Sequence, residues 1–166
     1  VSLIDSDVCL TGKRRIASGL ADNAFDFAIL NPPFNKVSDR QTPDWIKASA
    51  HVMREGMFEA WLRTAAAVVK PGGGLALIAR PQSIGDILSA LSGRFGALRI
   101  VPVHPRPHEA AIRIVVSGTS GSRAAMNIEP PLILHGLTGH AFLPRADAIN
   151  NGLRGLFDPI VDQTIL

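Results

Sequence analysis

"FDFAILNPPFN", residues 25–35, begins as a strand and stops as nothing a strand should be. Residues 25–30 form an apolar run preceded by the turn pair Asp22-Asn23, which reads as a β-strand. Asn31, Pro32, Pro33 and Phe34 then end the ladder at once. A proline has no N–H to donate, and it holds the residue before it extended. Read plainly, this is a strand-terminating loop with one buried ring, and the elements on either side decide whether it is more.

Upstream, Val1, Leu3 and Ile4 with the polar end Asp5-Ser6-Asp7 read as a brief strand that delivers carboxylates at its C-terminal edge. "GKRRIASGLADNA" reads as a loop with one helical turn. Downstream, residues 36–44 are a polar loop in which Pro43 and Asp44 are placed to start a helix. Phe58, Trp61, Leu62, Ala65, Val68 and Val69 recur at the period of an amphipathic helix, which stops at Lys70-Pro71-Gly72. Residues 74–79, "GLALIA", are a nearly continuous apolar run, as expected of a strand buried on both faces of a parallel sheet. Ile84, Ile87, Leu88 and Leu91 predict a second helix with Ser83 as N-cap and Gly93 as stop. "ALRIVPV" and "AAIRIVVSG" are strand-like and joined by "HPRPHE", a connection too short for a crossover, so they should pair antiparallel. Residues 118–123 read as a polar loop, and "PPLILHG" and a helix over 144–153 complete the chain. The order is an α/β pattern with a final antiparallel hairpin.

Composition sets the outer limits. The chain has 166 residues, of which 46% are apolar and 19% charged. That is enough to build one core, with no low-complexity stretch and no apolar run of the ~18–20 residues that span a bilayer. A soluble, cytoplasmic protein without membrane contact is expected. The single cysteine, Cys9, has no internal disulfide partner and no metal-ligand partner at useful spacing, so no metal is expected and Cys9 reads as a small core residue. A formal charge of +3 and a pI near 9.6 are compatible with an anionic partner.

Asn31-Pro32-Pro33-Phe34, at the end of an apolar strand, resembles the catalytic motif of class I S-adenosylmethionine-dependent methyltransferases that modify amino groups on planar nitrogen. "DNAFDFAILNPPF", "AHVMREGMFEAWLRTAAAVVKPGGGLALI", "VHPRPHEAAIRIVVSG" and "PPLILHG" are similar to the bacterial tRNA adenine N6-methyltransferases that modify an adenine beside the anticodon of a valine tRNA. The resemblance implies the C-terminal part of a Rossmann-like methyltransferase sheet, S-adenosylmethionine as cofactor and tRNA as partner. It matches "VSLIDSDV" to the third strand of the full fold and "FDFAIL" to the fourth. The first two strands and the Gly-rich loop are then expected upstream of Val1. Residues 1–155 would be a partial domain and 156–166 a C-terminal tail. Gly72-Gly73-Gly74 is no substitute for that loop, because it precedes a strand instead of following one, and it reads as a turn. Unpaired strand edges and one uncovered apolar face are expected, to be covered by the rest of a larger protein or, as the lesser alternative, by strand pairing or swapping between two copies.

The resemblance also assigns roles. An adenine amino nitrogen is a poor nucleophile because its lone pair is delocalised into the ring. The Asn31 amide oxygen and the Pro32 backbone oxygen would accept its hydrogens as the nitrogen becomes tetrahedral, the prolines would hold both acceptors in place, and Phe34 would stack on the extruded base, worth ~1–3 kcal/mol. Asp7 would contact the cofactor's adenine, Val8 would line its pocket and Asn31 would also bind the cofactor, against the plain alternatives for Asp7 of a solvated loop carboxylate or one that caps the following turn. Lys13, Arg14, Arg15, Lys36, Arg40, Lys47 and Arg54 would meet RNA phosphates, and His104, Arg106 and His108 would stand on the substrate side. A solvated charged face and a structural turn are the ordinary alternatives. His51 and Trp61 are expected to pack around the first long helix. Methylation of guanine N2 or of a protein glutamine uses closely similar motifs, although the glutamine enzymes usually have Tyr where Phe34 stands. A non-catalytic fragment that binds RNA or a partner chain is the rival of another class.

Overall fold

A computed structural model describes residues 2–32, 35–36, 52–53 and 56–159. The expected helix start at Pro43-Asp44, and Pro33, Phe34, Arg40, Lys47, His51 and Arg54, lie outside these residues.

The strand read from the sequence is β1, Phe25–Leu30, and it is entered from a short helix, α1, Gly12–Ala17. Between them the turn is closed by Arg15, which donates to the Leu20 carbonyl and to the Asp22 carboxylate. Two short strands, β2 (Asn35–Lys36) and β3 (Val52–Met53), pair parallel. Helix α2, Met57–Val68, follows, and the chain returns through β4, Val69–Ala79, which lies parallel to β1.

β4 starts earlier than its apolar run suggests, and the glycines explain how. Phe25 pairs with Val69 but Phe27 with Gly74, so the residues between loop out as a bulge, with Gly72 at φ +79. A Cβ on Gly73 would stand 2.7 Å from the Asp26 carbonyl oxygen, and one on Gly74 would enter the Phe27 ring at 2.3 Å. These are positions where only glycine allows two backbones and a ring to approach. Lys70 Nζ, 2.6 Å from Asp26 Oδ1, closes the bulge. The expected turn at this site is thus a bulge within a strand.

A 3-10 turn, Pro81–Ser83, leads into α3, Ile84–Leu91, and then into β5, Phe95–His104, and β6, Arg113–Ser120. β6 inserts antiparallel between β4 and β5. The strand order is β1-β4-β6-β5, and the outer edge of β5 is covered by β7, Asn127–Ile128, and β8, Leu132–Ile133. A last helix, α4, spans Pro144–Asn150.

One face of the sheet packs on α2 and α3, where Leu62, Leu75, Leu77, Ile87, Leu91 and Val116 are almost fully buried. Among the described residues the other face is covered only toward β5, by Leu132, Ala146, Ile149 and Phe157. At the opposite end β1 pairs with β4 alone among the described residues. Its outward side chains Phe25, Phe27 and Ile29 are 38%, 53% and 83% exposed.

That open edge accounts for one correction. Residues 2–7 form no strand, and Leu3 and Ile4 are exposed. A strand needs a ladder partner for its N–H and C=O groups, and among the described residues the segment has none beside it. Local pattern alone made it strand-like.

Arg94, in the turn after α3, binds Glu59 of α2 with both terminal nitrogens, at 2.9 and 2.6 Å. Hydrogen bonding from Arg94, ahead of its charge, holds the Glu59 carboxyl below its usual pKa. A carboxyl depressed by folding stabilises the fold above its unfolded pKa, ~4.3, and that contribution is lost as pH falls through the folded value. Glu59→Gln is therefore expected to flatten the acid limb of a melting-temperature profile below about pH 4.3 and to have little pH-dependent effect above it.

Candidate functional site

β1, β4 and β5 run in the same direction, so their C-terminal ends share one edge of the sheet. Asn31 is the first residue beyond β1, and the pairing of Leu30 with Leu77 sets it beside the last residues of β4. Asn31 is exposed and Pro32 is buried. The proline is thus wedged into the fold with φ held by its ring, and it presents the amide before it to solvent. Among the described residues the Asn31 side chain makes no hydrogen bond, so both its oxygen and its NH₂ are available to a ligand. Pro33 and Phe34, the rest of the motif, fall outside the described residues.

Asp7 and Val8 do not join this edge. Asp7 Oδ1 accepts the Cys9 N–H at 2.8 Å and its carbonyl accepts the Leu10 N–H at 3.1 Å, a self-contained turn. The Val8 carbonyl accepts the Thr64 hydroxyl at 2.7 Å. One helical turn further along α2, the Ala67 carbonyl accepts the N–H of Asn23, at the start of β1. Asp7 and Val8 are therefore tied near the beginning of β1, and Asn31 lies past its far end, roughly 20 Å along the strand at ~3.3 Å per residue. The described residues therefore do not bring Asp7 and Val8 together with Asn31, because among them the segment that should carry Asp7 to the edge as a strand has no neighbour to pair with.

The expected RNA cations divide in the same way. Lys13 and Arg14 are exposed on α1 and make no ion pair among the described residues. Arg15 is 5% exposed and committed to Leu20 and Asp22, so it shapes the turn into β1. Lys36 enters only through its backbone, in β2. His104, ending β5, shares a 2.7 Å hydrogen bond between Nδ1 and the Glu109 carbonyl. Arg106 donates to the Gly136 and Gly139 carbonyls at 2.6 and 2.7 Å, with Glu109 at 3.6 Å. It is a brace that ties the β5–β6 connection to the loop after β8, which fits the structural turn that stood as the ordinary alternative. His108 is exposed on that connection. Nothing local in "HPRPHE" reveals the brace, because its acceptors are backbone carbonyls about thirty residues away.

Two further side chains differ from expectation or escaped it. Cys9 is exposed, not a core residue. Its thiol pKa is raised, by desolvation first and then by the Asp7 carboxylate. His135 stacks on Phe142 at 5.0 Å between ring centroids, which stiffens the loop held by Arg106. No group of three or more His, Cys, Asp or Glu suited to a metal ion occurs among the described residues. None of their helices is long and apolar enough to cross a membrane.

The described residues do not form a cradle for S-adenosylmethionine. Gly72, Gly73 and Gly74 are consumed by the bulge in β4, and Asp7 is far from Asn31. They present the amide of Asn31 on a stiff support at a sheet edge, a place for a group that donates hydrogen bonds.

No protein-family model matches the chain, and a search of the curated proteins found no match. Among solved structures it resembles a predicted O-methyltransferase, protein Atu636, from Agrobacterium tumefaciens. The two are 41% identical over 90% of this chain and 62% of that one, with a TM-score of 0.75. More remote is a protein of Thermus thermophilus assigned as a DNA modification methylase, 16% identical over 66% of this chain and 51% of that one, with a TM-score of 0.45. That protein has also been solved with S-adenosylmethionine. The chain spans 62% of the length of the Agrobacterium protein. At that identity and TM-score the two share their fold, so the α/β sheet with β6 reversed between β4 and β5 is the methyltransferase arrangement expected from the sequence.

Proposed function

We propose that this chain is the substrate-facing part of an S-adenosylmethionine-dependent N-methyltransferase, and that its acceptor is the N6 amino group of an adenine in tRNA. The observation that carries the reading is Asn31, exposed at the C-terminal end of a parallel strand and backed by a buried Pro32. The fold shared with the Agrobacterium protein supports the class.

The chemistry follows from the acceptors. An aromatic amino group carries two N–H bonds and a lone pair spread into its ring. The Asn31 amide oxygen and the Pro32 carbonyl can each take one of those hydrogens, and this favours the tetrahedral nitrogen over the planar one. Held there before reaction, the pair stabilises the transition state without reorganising. S-adenosylmethionine supplies the methyl group. A hydroxyl substrate would fit less well, since it has a single proton that a general base must remove, and an amide is no base. Phe34 is the stacking surface for the base in this proposal, and Lys13 and Arg14 are its phosphate contacts.

The complete gene product, incubated with tritiated S-adenosylmethionine and separate pools of tRNA, rRNA and protein, is expected to label tRNA, with the label recovered in N6-methyladenine after digestion. Label in guanine, or in protein alone, would overturn the substrate assignment. Failure of calorimetry to detect S-adenosylmethionine binding to that product would overturn the class.

A further inference from the structure

The chain beyond β8 turns back at the same edge of the sheet as Asn31. β8 runs parallel to β5, with Leu132 opposite Val103 and Ile133 opposite His104, so the loop of residues 134–143 emerges at the C-terminal edge beside the β5–β6 connection. In the order β1-β4-β6-β5-β8 this loop stands roughly 19 Å from β1, at ~4.8 Å per strand.

The loop is fastened along its length. The N–H groups of Leu134 and His135 donate to the His104 and Pro105 carbonyls at 2.9 and 3.0 Å, and that of Leu143 donates back to the Leu134 carbonyl at 2.8 Å. Arg106 holds the Gly136 and Gly139 carbonyls at 2.6 and 2.7 Å. His135 Nδ1 lies 3.1 Å from the Ala141 carbonyl, and this bond sets the orientation of its ring. Phe142 stacks on that ring at 5.0 Å between centroids, with the planes inclined by 18°. One face of Phe142 is thus covered, yet the residue is 44% exposed, so its opposite face and rim meet water.

A ring left half in water adds little to folding, because the apolar area is not removed from solvent. The same arrangement lowers the cost of binding. An aromatic side chain with two rotatable bonds, on a fixed backbone and backed by a second ring, loses little freedom when a flat group covers it. A nucleobase is such a group, and its phosphates meet no concentration of acids here. In residues 104–113 and 134–143 the sole carboxylate side chain is Glu109, and Arg106 stands 3.6 Å from it. We propose that Phe142 is a stacking platform for an unpaired base of the RNA substrate, with His135 behind the ring and the Arg106 brace holding the loop in place. The inference rests on the transfer to an RNA adenine proposed above. At ~3.4 Å per stacked nucleotide, the base on Phe142 is about five or six nucleotides from the one held at Asn31.

Binding of fluorescently labelled total tRNA to the complete gene product, followed by anisotropy at one salt concentration, tests the platform separately from methyl transfer. Phe142→Leu keeps an apolar side chain of similar bulk but removes the ring, and should weaken tRNA binding by about tenfold. Phe142→Trp should retain it. Leu137→Ala, a truncation in the same loop of an apolar side chain that is 69% exposed, should change it by less than about twofold. Unchanged affinity in Phe142→Leu overturns the platform, and so does an equal loss in Leu137→Ala, which would mark a general apolar contact. If the unaltered protein still labels tRNA in either case, the transfer reading stands. Weakened binding in Phe142→Leu together with label in guanine upholds the platform and overturns the adenine assignment. Absence of tRNA binding by the unaltered protein overturns both.

Discussion

Asn31→Ala is expected to lower the rate of methyl transfer by about 10²–10³-fold while leaving stability within about 0.5 kcal/mol. The first figure follows from the role proposed for the amide. It holds an acceptor where the amino hydrogens move as the nitrogen becomes tetrahedral, and removing one preorganised polar partner from a transition state has an effect of that size. The second follows from its surroundings. Asn31 is exposed, and among the described residues its side chain binds nothing that the fold depends on. Single-turnover transfer in the complete gene product, beside a thermal melt of the same variant, checks both. Asn31→Asp sharpens the result, since it restores an acceptor but adds a charge. A partial recovery over alanine is expected if hydrogen-bond acceptance is the role. Unaltered transfer in Asn31→Ala would refute the assignment outright.

Leu75→Ala is expected to destabilise the fold by about 3 kcal/mol. Leu75 is 0% exposed at the centre of β4, paired with Ala28 of β1 on one side and Gly118 of β6 on the other, and it packs into the cluster under α2 and α3. Truncation removes the transfer free energy of the lost methyl groups and leaves a cavity that a three-strand contact cannot collapse to fill. Small domains are stable by only about 5–15 kcal/mol, and this sheet has one face partly bare, so the loss is a large share of the total. Urea denaturation should show a lower midpoint with an unchanged slope. Ile29→Ala is the control. Ile29 is apolar and in a strand, but 83% exposed, and its truncation should fall within about 0.5 kcal/mol.

The contrast between Leu75 and Ile29 marks where sequence reading works. Both belong to apolar runs, and period and composition place both in strands. What separates them is whether another layer lies over the face on which they project, and that is a property of segments distant in the chain. The same distinction runs through the candidate site. Asn31 was legible because everything that positions it is local: an apolar strand before it, two prolines after it, and a topology in which that strand runs parallel to the next. Arg15 and Arg106 looked like members of a basic surface because their charge is visible in the sequence and their acceptors are not. Those acceptors are a carbonyl and a carboxylate across a turn for Arg15, and two glycine carbonyls in a remote loop for Arg106.

The sequence by itself determined the α/β order, the antiparallel hairpin of β5 and β6, the helical faces of α2 and α3, and the placement of an Asn-Pro-Pro motif at the end of a parallel strand. These depend on periodicity, on proline and glycine stereochemistry and on loop length, which act over a few residues. Only the tertiary structure decided that residues 2–7 are not a strand, that Asp7 stays away from Asn31, that Lys70 to Gly73 form a bulge in β4, and that Arg106 braces two distant loops. Each of these depends on which distant group is present to accept a hydrogen bond, pair with an edge or balance a charge.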